Sequence, residues 1–177
     1  VVDIVERLKK DFPIVIDEAM KVTSYGSLLK VCKDLLHEKI PIIDMLTIIE
    51  AVADIAEFTK VPEILLEHVR AKLYRLITQK YKDTDGVLHI ITIKPELEQQ
   101  FIGKLQEHHG VSQLMISIAE INNLVTKTKK LLDDIEAKCF SKITMVVDPV
   151  LRKRISEIYE KFGLQVSVLS HAELDSK

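Results

Sequence analysis

The chain is poor in the features that usually announce chemistry or a membrane. Across its 177 residues no run approaches the ~18 consecutive apolar residues of a membrane span, so the chain itself is expected to be soluble. Lys and Arg number 25 against 27 Asp and Glu, a formal charge of -2, which supplies no general attraction to nucleic acid or to an acidic membrane. Cys32 and Cys139 are the only cysteines. They lie far apart among apolar neighbours, and the expectation is two reduced core residues and a reducing compartment. No Gly-rich loop follows any β-branched run, and the turn after Val147 is Asp148-Pro149, which adds a negative charge and removes an amide donor. A phosphate cradle is disfavoured there. The chain opens Val1-Val2-Asp3 without a basic-then-apolar leader or an initiator Met, so the expectation is a fragment or processed chain with no secretion signal.

What is present is the balance of a globular protein, 47% apolar and 29% charged, in a length that can bury one sizeable core or two small ones. The first half has helical periodicity. Ile4, Val5, Leu8 and Phe12 form a stripe that Pro13 interrupts; Ile16, Ala19 and Met20 form a second; Leu28, Leu29, Cys32, Leu35 and Leu36 form a third. Asp44 is placed to cap a helix carrying Met45, Ile48, Ile49, Val52 and Ile55. Pro62 suits a first helical turn, and one long stripe then runs from Leu65 to Ile77.

The polar segment 82–86 marks a change of period and a candidate hinge. Val87 to Ile93 reads as a strand, Leu97 to Leu105 as a short helix, and Leu114 to Ile135 as a long one. Ile143 to Val147 is a second strand, Asp148 and Pro149 start another helix, Gly163 suits its left-handed end, and Val166 to Leu169 is a third strand. The predicted class is α+β: a helical subdomain over 1–84, then a small α/β subdomain over 85–177 with a mostly parallel three-stranded sheet.

Several residue clusters invite a chemical reading and have a plainer one. His108 and His109 are adjacent, about 100° apart on a helix, and do not offer the i, i+4 face of a zinc pair. Lys127, Lys129 and Lys130 are followed by Asp133, Asp134 and Glu136, a mixed solvated face. Ser170, His171 and Glu173 are chain neighbours and lack the three-element geometry of a nucleophilic triad. No catalytic, metal or cofactor residue is assigned.

Three segments carry a specific likeness. Leu35 to Glu50, LLHEKIPIIDMLTIIE, resembles LLxExVPIRDMxTILE; Glu67 to Arg75 resembles EhVRxxLxR; Val166 to Leu174 resembles VxVLSxxEL, with Arg152 at the position of an arginine following the penultimate strand. These occur, in this order, in the type III export gate proteins of the flagellar FlhA family, and the chain resembles the last two subdomains of their cytoplasmic half. Ile43 departs from the pattern, which often has arginine there, and the loop at Gly110 differs in length.

The resemblance implies a non-catalytic part of the bacterial flagellar export apparatus on the cytoplasmic side of the inner membrane, anchored only through a region preceding this chain. It implies a homo-oligomeric ring, typically of nine copies, that docks export chaperone-substrate complexes and soluble export ATPase components, with no cofactor and no nucleic acid. Pro41, Asp44, Glu67, Arg70 and Arg75 are the candidate ring or partner residues. Each has a local alternative: Pro41 ends a helix, Asp44 caps one, and Glu67 with Arg70 makes a solvated i, i+3 pair. The rival readings are the homologous gate of a virulence injectisome, a flavodoxin-like or hydrolytic α/β enzyme, and a helix-turn-helix module with Lys72 and Arg75 on phosphate. Glu63 and Glu67 on that same helix oppose the last.

Overall fold

The computed structural model describes residues 1–108, 111–136 and 142–175. Cys139, the side chains of His108 and His109, and the loop at Gly110 lie outside the described residues. Contacts divide the chain into two compact units, Val1–Ile77 and Thr78–Lys177. Among the described residues no helix is long and apolar enough to cross a membrane.

The first unit is built of α1 (Val2–Asp11), α2 (Pro13–Val22), α3 (Tyr25–His37), α4 (Met45–Ala56), α5 (Pro62–Lys72) and the start of α6 (Tyr74–Tyr81). Its punctuation follows the sequence. Pro13 and Pro62 occupy first turns, where the missing N–H costs no ladder bond, and Ser24 and Asp44 cap α3 and α4. Val5, Ile16, Leu28, Leu35, Ile48 and Val69 are buried. The stripe from Leu65 to Ile77 was expected on one helix, but the chain bends at Leu73 (φ -84°, ψ 15°) between α5 and α6. No proline or glycine sits there; the bend keeps both Leu73 and Ile77 buried.

α3 ends in a Schellman motif. Lys39 adopts φ 61°, its N–H donates to Leu36 O (2.9 Å), and Ile40 N–H donates to Leu35 O (2.8 Å). Ile40 and Leu35 are both fully buried, the apolar contact that accompanies this stop. The motif holds Glu38 where the guanidinium of Arg70, from α5, hydrogen-bonds its carboxylate. Arg70 is 2% exposed, so this ion pair is part of the packing between α3 and α5.

The second unit holds β1 (His89–Thr92), α7 (Pro95–Ile102), β2 (Leu105–His108), β3 (Val111–Leu114), α8 (Ile118–Glu136), β4 (Ile143–Val147), α9 (Pro149–Lys161) and β5 (Ser167–Ser170). The strands β1, β4 and β5 form a parallel sheet in the order β1-β4-β5, with Ile91 beside Met145 and Met145 beside Val168. The α+β class and the three-stranded parallel sheet expected from the sequence are therefore present. Phe101, Leu151, Ile155 and Tyr159 pack with these strands in one core. Gly163 takes φ 69° after α9, and Leu164 N–H reaches back to Tyr159 O (2.9 Å), a second Schellman stop.

One region differs from expectation. Leu105 is not the end of a helix, nor Leu114 the start of one: they pair across an antiparallel hairpin, β2 with β3. Gly103 and Lys104 close α7 by bonding back to Gln99 O and Phe101 O, and Lys104 O then accepts Met115 N–H (2.9 Å), which starts a ladder in place of another turn.

Buried polar groups in this unit are matched. Tyr159 Oη and Thr128 Oγ1 share a hydrogen bond of 2.9 Å, and burial pushes the Tyr159 phenol up to about 12. Thr78 Oγ1 donates to Glu173 O (2.7 Å) and accepts Asp175 N–H (3.0 Å). The turn before β1 is closed by Asp83, whose carboxylate accepts Val87 N–H (2.8 Å), Asp85 N–H (2.9 Å) and His89 Nε2 (2.7 Å). The Val87 amide, then His89, holds the Asp83 carboxyl below its usual range. Two atoms depart from this among the described residues: Arg154 Nε, and Thr144 Oγ1, which is fully buried in β4 without a hydrogen-bond partner.

Three outcomes follow for stability. Arg70→Ala, which takes the buried guanidinium away from Glu38, is expected to cost about 3–5 kcal/mol in urea unfolding; a loss under about 1 kcal/mol would mean that water already reaches the pair. Thr144→Val keeps the shape and removes an unpaired hydroxyl, and is expected to raise stability by about 1 kcal/mol. Because Asp83 is depressed in the folded state, its contribution is present above its usual 3.8 and is lost as pH falls through the folded value. The melting-temperature gap between the native chain and Asp83→Ala should therefore be widest near neutrality and close below pH 3.8; a gap that widens in acid would contradict the assignment.

Candidate functional site

The five residues marked in the sequence sit in different surroundings. Pro41 is half-buried in the connection between α3 and α4, next to buried Ile40. Asp44 is exposed and its carboxylate is taken up by Thr47, whose N–H donates at 3.2 Å and hydroxyl at 2.8 Å. Glu67 is half-buried and engaged. Arg70 is brought to Glu38, a partner 32 positions away that spacing could not name. Arg75 is exposed, its guanidinium 5.4 Å from the ring centre of Tyr74. Of the five, Asp44 and Arg75 present charge at the surface, and apolar area accompanies them: Ile43 is 79% exposed just before α4 and Phe58 is 85% exposed just after it.

Ser170, His171 and Glu173 form a turn and no triad. The Glu173 carboxylate accepts Ser170 N–H (2.8 Å) in a capping box around the short 3-10 turn His171–Glu173. Glu173 is fully buried and His171 is exposed. Arg152 is likewise buried and engaged, so these motif residues act inside the second unit.

The second unit also contains a groove that the sequence reading did not find. A cavity of about 360 Å³ opens beyond the carboxyl end of β1, between α7 and α8, the end of a parallel strand where α/β sheets commonly take ligands. Ile93, Phe101, Leu124 and Met145, all buried, supply its floor, and Leu97 and Leu131 its apolar walls. Lys94, Asn123, Lys127 and Glu120 stand at its rim. A signal for it does exist in the sequence. On α8, positions 120, 123, 124, 127, 128 and 131 recur at i, i+3, i+4 spacing, a second stripe beside Val125, Leu132 and Ile135, which pack against the core.

The electrostatics of the rim are uneven. Glu120 is ion-paired with Lys104, accepts Ser117 N–H (2.9 Å) and Ser117 Oγ–H (2.8 Å), and its own N–H donates to Ser117 Oγ (3.2 Å). This capping box starts α8. The Lys104 hydrogen bond above all, then the Ser117 donors, lower the Glu120 carboxyl to about 2. Lys94 and Lys127 are exposed, and their side chains make no hydrogen bond or ion pair with the described residues. The groove therefore has an apolar floor, one internally compensated acid and two open cations. Among the described residues no three His, Cys, Asp or Glu side chains are placed to hold a metal ion.

Comparison with known proteins places this architecture. The flagellar biosynthesis protein FlhA of Helicobacter pylori is 39% identical over 173 residues, covering 97% of this chain and 24% of the relative. The FlhA of Borreliella burgdorferi is 31% identical over 143 residues, covering 77% and 20%. The chain thus spans less than a quarter of the length of these two relatives. Nonameric SctV-C of EPEC, solved by cryo-EM, has the same fold with a TM-score of 0.85 at 20% identity, covering 98% of this chain and 52% of that one. The CdsV and CdsO complex of Chlamydia pneumoniae matches with a TM-score of 0.82 at 20% identity, covering 98% and 51%. The FHIPEP family model matches residues 1–177, and the chain belongs to the FHIPEP family.

Proposed function

We propose that this chain is the rear part of the cytoplasmic half of a bacterial type III protein export gate of the flagellar kind, and that it works by binding and not by chemistry. The observation that carries the reading is the family match over the full 177 residues, with curated relatives that are flagellar biosynthesis proteins. In this reading the chain lies on the cytoplasmic side of the inner membrane, joins a ring of nine copies, and offers surfaces to export chaperone-substrate complexes and soluble export ATPase components. Support for a ring comes from the nonameric SctV-C of EPEC, and support for an export partner from CdsV solved with CdsO.

A binding role also suits the groove. Its single carboxylate, Glu120, is held at about 2 by Lys104 and Ser117, far from the value near working pH that suits a general acid or base. No cofactor is required. The injectisome gate remains the second reading, because fold neighbours include export proteins such as EscV, named for the type III secretion system.

The ring is tested by sedimentation of the complete cytoplasmic half at rising concentration, with and without Arg75→Glu. Arg75 is preferred to Arg70 because reversal at a buried, paired position would unfold the first unit. Concentration-dependent association weakened about tenfold by the reversal, ~1.4 kcal/mol, is expected. A strict monomer would overturn the ring, and rings indifferent to the change would remove Arg75 from their interface.

A further inference from the structure

We propose that the groove between α7 and α8 is the docking site for an amphipathic helix of a partner protein, one whose apolar stripe is flanked by acidic side chains. This deepens the binding role above and rests on it. The shape argues for a helix. Groove positions on α8 run from Glu120 to Leu131, about 16 Å along the helix axis, so the opening is elongated parallel to α8 and can take some three turns of a partner laid beside it. Apolar side chains spaced i, i+3, i+4 and i+7 on that partner would meet a floor of Phe101, Leu124 and Met145, the helix-in-groove mode of recognition.

The charges argue for acidic flanks. Lys94 stands at one wall, just before α7, and Lys127 at the other, on α8; both are exposed and without a partner among the described residues. The one acid at the rim, Glu120, is already compensated by Lys104. A basic helix would meet two like charges over an apolar floor; an acidic one would meet two opposite charges, which favours its approach and fixes its register. Leu131, 42% exposed at the groove wall, is apolar surface that such a helix would cover.

The test is a titration of the isotopically labelled chain, followed through its backbone amide signals. The probe is a synthetic amphipathic helix about 14 residues long, ~20 Å, with leucines at the stated spacing and glutamates beside them. Its controls are the same peptide with lysines in place of glutamates, and decanoate. The glutamate peptide should move amides of 92–97 and 120–131, and bind at least about tenfold more tightly than the lysine peptide. Lys94→Glu with Lys127→Glu should reverse that preference. Leu131→Asp should abolish binding, and Asn123→Trp, at an exposed rim position, gives an independent plug if the Leu131 variant loses its fold.

Shifts elsewhere on the chain, equal binding of the two peptides, or no binding at about 1 mM, ~4 kcal/mol, would overturn the proposal. Tighter and competitive binding of decanoate would assign the groove to a small amphiphile and overturn it as well. Because the titration uses no assembly assay, a failed groove with intact self-association refutes the groove alone. Lost self-association with an intact groove refutes the ring and leaves the groove standing.

Discussion

Parallel strands cannot be joined by a tight turn, and β4 has a parallel neighbour on both sides. The rest of the second unit is arranged around that constraint. Two crossovers are needed, over residues 148–166 and 93–142. The short one is α9 alone, which buries Leu151, Ile155 and Tyr159 in the core. The long one must carry α7, a hairpin and the 19 residues of α8, more chain than the sheet needs for cover. Its two helices do not close on each other, and the side chain of Met145, in the centre of the sheet, becomes the floor of a groove. The groove follows from the topology.

Apolar packing alone would leave these helices several similar ways to sit, and hydrogen-bonded polar groups remove that freedom. Thr128 meets Tyr159 and so fixes the rotation of α8 about its axis relative to α9. Thr78 ties down the backbone at Glu173 and Asp175 through one hydroxyl used as both donor and acceptor. In the first unit, Arg70 and Glu38 set α5 against the end of α3. A buried ion pair adds little net stability over an apolar substitute, yet a wrong arrangement would leave a charge stranded at a cost of several kcal/mol. Such pairs choose among packings more than they strengthen one.

Local rules brought much of this within reach of the sequence. Pro13, Asp44, Pro62, Pro149 and Gly163 all occupy the positions their backbone preferences predict, because each acts within one turn of itself. The hairpin was not legible for a corresponding reason. Leu105 is the only apolar residue of β2, and Leu114 is followed by Ile118 and Ile121 at helical spacing, so the local period favoured helix while cross-strand pairing decided otherwise. Arg70 illustrates the same limit at a site. Spacing points Arg70 to Glu67, three positions before it, but does not reveal its ion pair with Glu38, 32 positions away, which only the fold brings together. The groove was hidden because its two stripes overlap on α8, and sequence periodicity does not say which stripe the core fills.

A net charge of -2 also says little about the surfaces the chain presents, because its acids and bases are used differently. Asp44, Asp83, Glu98, Glu120, Asp148 and Glu173 each accept a backbone N–H at a cap, turn or strand end. There the partial positive charge of the amide compensates the carboxylate, and helix starts reinforce the effect. Such acids are occupied in shaping the chain. Lys94, Lys127 and Arg75 stand instead on exposed positions beside apolar or aromatic surface. A chain that is slightly acidic in total can thus be locally basic where it is open to partners. At those positions exposed cations stand together with apolar or aromatic surface, while the six carboxylates named above hold the backbone in place.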